Sequence, residues 1–179
     1  MGNLFDTVRA SILIGILIVI PGCVTWSTYP SQKMTDRMTN PSNEPTPTLM
    51  TKAIHFAYSH YGSGEEDFAI NLPEGVSHEI YTRVIRKLEI GHPMTDPNET
   101  TYHVLEIRIR GLEAEVDLLY PRQGSIYEMV TLSFRRRLVE GWTVLTSRLR
   151  RVHVDRPQPN YVPPAPNVLP NPNRSSEAE

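Results

Sequence analysis

Two spacings of apolar residues divide the middle of the chain. Leu49, Ala53, Ala57 and Tyr61 return at every fourth position, which predicts a helix with one buried stripe. Thr46-Pro47 offers it an N-cap and a first-turn proline, and Gly62 a stop. A second helix is predicted after Ser77, with Ile80, Tyr81, Val84, Ile85 and Leu88 on its buried side. Ser77 is its N-cap, Val76 and Tyr81 occupy the positions a hydrophobic staple joins, and Gly91 and Pro93 end it. Between the helices Phe68, Ile70 and Leu72 alternate in "DFAINLP", a short edge strand closed by Pro73.

After the polar loop "GHPMTDPNET" the period falls to two, with Leu105, Ile107 and Ile109 alternating with Glu106, Arg108 and Arg110. Gly111-Leu112 suits a type II′ turn. Pairing across it sets Arg110 against Glu113 and Arg108 against Glu115 on one face, and Ile109 against Ala114 and Ile107 against Val116 on the other. Val130, Leu132 and Phe134 continue the apolar face in a third strand, and a fourth runs from Trp142 to about Val154 after a turn at Glu140-Gly141. A two-residue turn there faces Leu145 and Leu149 to the core, leaves Val139, Trp142 and Val144 on the other side, and points Arg136 inward. A bulge near residues 135–137, or a bend of the fourth strand, corrects this. The expected fold is α+β: two helices packed on a curved, mainly antiparallel sheet of four long strands plus a short edge strand, within residues 48–155.

The flanks have a different composition. Residues 11–20 are almost all Ile, Leu and Val. As a helix they rise about 15 Å, about half the hydrocarbon core of a bilayer, which is a signal-peptide length rather than a span. Pro21-Gly22 breaks the run, and Cys23, the only cysteine, follows. It has no partner for an internal disulfide. Residues 23–47 read as a flexible polar tether. Residues 156–179 hold seven of the sixteen prolines and read as a disordered, polyproline-rich tail. The net charge of −2 provides no basic field for nucleic acid.

Ile20-Pro21-Gly22-Cys23 resembles the lipobox of bacterial lipoproteins. The resemblance implies cleavage between Gly22 and Cys23, loss of residues 1–22 as a signal peptide, a diacylglyceryl group on the Cys23 thiol and acylation of the new amine. Val24 in place of Asp points, in enterobacterial-type sorting, to the outer membrane with the domain facing the periplasm. Element order and strand length over residues 48–154 are similar to the cone-shaped α+β fold of the nuclear-transport-factor-2-like superfamily, and less so to cystatin-like domains. This is an analogy of fold and carries no function.

Candidate chemistry is sparse. His55 and His60 stand about 140° apart on the first predicted helix, whereas a helical metal pair needs a spacing of three or four. His78, His92, His103 and His153 share no ligand spacing, and "GSGEED" lacks the Lys-Ser/Thr of a phosphate loop, so neither metal nor cofactor is expected. Some enzymes of the cone-shaped superfamily use a tyrosine and a carboxyl in an apolar cavity. Tyr58, Tyr61 and Tyr81 stand on the helices that would line one, but no acid is placed beside them, and the core accounts for them. Arg135, Arg137, Arg148 and Arg150 form a candidate face for an anionic partner, either an envelope protein or an anionic polymer. Alternatively they pair with Glu113, Glu115 and Asp117 of the neighbouring strand. Three readings follow: a non-enzymatic lipid-anchored envelope protein with a binding or scaffolding domain, a small-ligand carrier or cavity enzyme on the same fold, and an uncleaved single-span protein.

Overall fold

A computed structural model describes residues 25–31, 37–38, 40–62, 67–123 and 126–164. The apolar run, Gly22 and Cys23 lie outside the described residues. The elements are β1 (Ser27–Tyr29), β2 (Arg37–Met38), α1 (Thr46–Tyr61), β3 (Ala69–Asn71), α2 (His78–Leu88), β4 (His92–Pro93), β5 (Thr101–Arg110), β6 (Glu113–Gln123), β7 (Ile126–Arg137) and β8 (Gly141–Val154). The class is α+β, with two helices against an open, mostly antiparallel sheet. The sheet is larger than expected. Among the described residues it has eight strands, in the order β2-β1-β5-β6-β7-β8, with β3 beside β5 and β4 beside β3. Four of them are long, as the alternation predicts. Of the short ones, β3 is the strand expected at Phe68–Leu72, whereas β1, β2 and β4 were hidden because two or three residues carry no period.

The β5–β6 hairpin has the expected register. Arg110 opposes Glu113, Ile109 opposes Ala114, Arg108 opposes Glu115 and Ile107 opposes Val116. Gly111 takes φ +60° at the first central turn position and Leu112 does not follow it, as type II′ requires. Leu105 is a bulge, since Val104 pairs with Leu118 and Glu106 with Asp117. That extra residue lets Tyr102 and Val104 share the helix-facing side with Ile107, which reverses the role expected for Leu105. On this side Val116, Leu118, Val130, Leu132 and Phe134 join Leu49, Ala53, Ile54 and Ala57 of α1 and Ile80, Tyr81 and Val84 of α2 in one core.

The helix ends shift slightly from their expected positions. Thr46 is the first residue of α1 rather than its cap, and its buried hydroxyl has no hydrogen-bond partner; Pro45 stands at the cap. Gly62 stops α1 in an extended conformation. A Cβ there would meet the Tyr58 carbonyl oxygen at 2.4 Å and the Tyr102 hydroxyl at 2.7 Å, so close approach rather than φ demands glycine. Ser77 stands at the N-cap position of α2 as expected, without a side-chain capping hydrogen bond, and Val76 and Tyr81 are both buried. Glu89, not Gly91, ends it in the left-handed conformation, with its N–H donating to the Ile85 carbonyl at 2.9 Å.

The last hairpin corrects two expectations. Arg137 pairs with Gly141, so residues 138–140 form a three-residue turn closed by Gly141 at φ +69°. Trp142 and Val144 therefore oppose Arg136 and Phe134 and face the helices. The bulge lies at Leu145 in β8, not near residues 135–137, because Ser133 pairs with Thr146 while Phe134 pairs with Val144. Leu138 and Val139 stand fully in solvent at the tip.

The packed unit also reaches beyond residues 48–155. In the expected tether, Ser27, Thr28 and Tyr29 pair antiparallel with Ile109, Arg108 and Ile107, and the Tyr29 hydroxyl donates to the Glu74 carbonyl at 2.6 Å. In the expected tail, residues 156–161 strap across the molecule. Buried Asn71 is the latch: its Nδ2 donates to the Gln158 carbonyl at 2.7 Å and its Oδ1 accepts the Asn160 N–H at 2.9 Å. Tyr161 then packs edge-on against Tyr81 and bonds His78 at 2.7 Å.

Candidate functional site

The register sorts the four candidate arginines by neighbour. Residues directly opposed in an antiparallel sheet share a face. Arg135 opposes Glu113 and Thr143, Arg148 opposes Thr131, Arg150 opposes Met129, and Arg137 opposes Gly141. All four therefore lie on the side away from the helices, as a single basic face would require. Phe134, Leu132 and Val130 take the other side.

Their partners divide them into two pairs. Arg135 Nη2 donates to Glu113 Oε1 at 3.2 Å, and Arg110 Nη2 donates to Glu113 Oε2 at 2.8 Å. Arg110 and then Arg135 hold the Glu113 carboxyl below the usual carboxylate range. Arg137 Nη1 donates to Glu140 Oε2 at 3.0 Å across the tip. Arg148 and Arg150 are exposed and, among the described residues, take part in no ion pair. The other two acids named as their neighbours are engaged elsewhere. Glu115 accepts from Arg108 Nε at 3.2 Å, and Asp117, 7% exposed, accepts from Arg108 Nη1 at 2.9 Å and from the Thr131 hydroxyl at 2.6 Å. Arg108 also donates to Glu106 at 2.8 Å, so one half-buried guanidinium holds three carboxylates.

Arg148 and Arg150 stand on an open edge. β8 pairs with β7 on one side and ends the strand order; among the described residues nothing pairs with its other side. Its backbone groups there, between Leu145 and Arg150, can extend the sheet to one more strand. Leu149 opposes Val130 on the helix side yet stays 45% exposed, because no helix covers this end of β8. An added strand would meet two cations on one face and a half-exposed leucine on the other.

The tyrosines are structural. Tyr81 is fully buried, accepts the Leu72 N–H at 2.9 Å, and has its pKa pushed up to about 12 by burial. Tyr58 packs on Phe68 and Tyr102, and Tyr61 stacks on Tyr120 with its hydroxyl donating to Ser147 at 2.8 Å. A tyrosine–carboxyl pair does exist, though at neither helix: Tyr120 donates to Glu128 Oε2 at 2.7 Å, and Arg122 holds the other Glu128 oxygen. Burial and then Glu128 raise the Tyr120 pKa, which leaves the phenol a donor and not a base. The signal was in the register, since Tyr120 opposes Glu128 once β6 and β7 are paired outward from the β5–β6 turn.

The histidines do not converge, and no cluster of three or more His, Cys, Asp or Glu that could hold a metal occurs among the described residues. His60 stacks on Phe56 at 3.9 Å and bonds the Phe56 carbonyl, while His55 is exposed. His103 is buried on β5 with Nδ1 unpartnered, and burial lowers its pKa to about 4. No helix among the described residues is long and apolar enough to cross a membrane. No protein-family model matches the chain, and no curated protein or solved structure matches it either.

Proposed function

We propose that this chain is a lipid-anchored cell-envelope protein, held in the outer membrane through Cys23, whose domain docks an extended acidic segment of another envelope protein. The observation that carries the docking is the edge of β8, open among the described residues, with Arg148 and Arg150 upon it and in no ion pair with those residues. A strand laid antiparallel along this edge gains main-chain hydrogen bonds, and its alternate side chains meet the two arginines. Acidic residues at every second position suit that face, and an apolar residue between them suits Leu149. The lipobox-like Ile20-Pro21-Gly22-Cys23 supports the anchor. Lipidation at Cys23 with further acylation gives the multiple chains that stable anchoring needs.

Labelled palmitate tests the anchor. The chain should incorporate it and sediment with membranes, and Cys23→Ser should lose the label and move to the soluble fraction. An unlabelled chain that stays with the membrane overturns the lipoprotein reading in favour of an uncleaved span. The docking edge is tested separately by charge reversal at Arg148 and Arg150, which does not touch the anchor.

A further inference from the structure

Among the described residues a sizeable groove lies away from the arginine edge. It lies between α1, the end of α2 and the start of β8, encloses about 700 Å³, and falls within the range typical of small-molecule sites. Its floor is Phe56, Leu88, Trp142 and Val144. Thr48, Lys52, His55 and Ser59 edge it at the spacing of one helical stripe, which extends roughly 16 Å at the helical rise. Lys87 reaches in from α2, where its ammonium donates to Thr48 and to Glu44, both at 3.3 Å. The walls of this groove include two lysines and two histidines and no carboxylate. A smaller recess continues it past Thr48, Lys52 and Trp142 to Arg136 and Gly141, with the carboxylates Glu44 and Glu140 also on its wall, beside the hairpin tip where Leu138 and Val139 stand in solvent.

A long apolar floor with cations concentrated at one end matches one kind of ligand. We infer that the groove binds a single-chain amphiphile with an anionic head, a fatty-acid carboxylate or an alkyl phosphate, with the tail along Phe56 and Val144 and the head at Lys52. Lys87 is already shared with Glu44, so Lys52, exposed and without an ion pair among the described residues, is the head-group cation. The tail buries apolar surface that Phe56 and Val144 now share with water, and around the head the cations Lys52, Lys87 and Arg136 outnumber the carboxylates Glu44 and Glu140. The inference stands apart from the docking reading, since neither Arg148 nor Arg150 lines the groove.

Trp142 is the built-in reporter, because Trp26 is the only other tryptophan. In the full chain carrying Trp26→Phe, 2-bromodecanoate should quench Trp142 emission saturably. Decanoate and decyl phosphate should displace it, and decanol should not. Calorimetry should show Lys52→Glu weakening decanoate by about fivefold with an unchanged circular dichroism spectrum. Ser59→Phe, at an exposed helical position, should fill the groove and abolish binding. Absence of saturable quenching, displacement by decanol as readily as by the anions, or full affinity in Lys52→Glu each overturns the inference. If decanoate and decyl phosphate displace equally, the anionic head alone is read. If only one displaces, the ligand is of that head-group class.

Discussion

The sheet has two edges, and they are finished in opposite ways. At the β5 edge, β1 pairs along one half and β3 along the other, β4 lies beyond β3, and the 156–161 strap is latched to Asn71. The charges near it are saturated, with Arg108 on three carboxylates and Arg110 on Glu113 and over the Trp26 ring at 4.6 Å. At the β8 edge there is no strand, strap or counter-charge among the described residues. Unpaired edges invite association, and proteins either cover them or guard them with charge. One edge here is covered. The other bears two arginines, which repel a second copy of the same edge while attracting an acidic strand. The two edges therefore teach what separates an arginine that holds a fold together from one that is available to a partner. The separation lies in the neighbour across the ladder, not in the arginine or its exposure alone.

The largest contrast is between one arginine on each edge. Arg108→Ala leaves Glu106, Glu115 and nearly buried Asp117 together without a cation, and should cost about 4 kcal/mol in urea unfolding. Arg148→Ala removes no partner and should fall within about 0.5 kcal/mol of the parent. Equal effects would remove the distinction between the edges. The next largest effect is pH-dependent and belongs to the covered edge. His103 is held neutral by burial, with a folded pKa of about 4 against an ordinary 6.5. Between these values the unfolded chain binds the extra proton, so stability is complete above about pH 6.5 and falls as the pH drops to about 4, by about 3 kcal/mol. His103→Leu should flatten that part of the profile. A profile that is unchanged by the substitution would place the acid sensitivity elsewhere.

The closing strap is the third test. Asn71→Ala removes the acceptor and donor that hold residues 158 and 160, and should cost about 2 kcal/mol and expose the strap to protease. Nothing in the sequence pattern announced this contact. The strap is held by backbone amides, Asn71 and Asn160 rather than by periodic apolar residues, and a proline-rich stretch with polar spacers looks the same whether latched or free. The same reason hid β1, whose three residues gain their place from the unpaired side of β5. By contrast, the helices and the β5–β6 register were legible because burial and charge repeat there with the element's own period. The pairing of Arg135 with Glu113 was legible too, as it follows from that register carried one strand outward. Legibility failed at Leu105 and Leu145, because one inserted residue exchanges the faces of everything beyond it and leaves no mark in composition. Trp142 was placed on the wrong side for a different reason: the turn before it has three residues, 138–140, where two were expected.

The smallest effect on stability is expected where the effect on binding is largest. Arg148→Glu with Arg150→Glu leaves every described ion pair intact and should shift the unfolding midpoint within error. A photo-crosslinker at Thr146, whose side chain lies on the same face as Arg148, should capture a partner in the parent and lose it in the double variant. The captured segment should carry acids at alternate positions, and mass spectrometry of the crosslinked peptide reads this directly. If the arginines only guard the edge, the result differs in kind. Arg148→Ser with Arg150→Ser would then give a species crosslinked to a second copy of itself through Thr146, and no acidic partner would be lost. Recruitment and guarding thus give opposite results from one site, and only recruitment requires that the strand filling the β8 edge be a different chain.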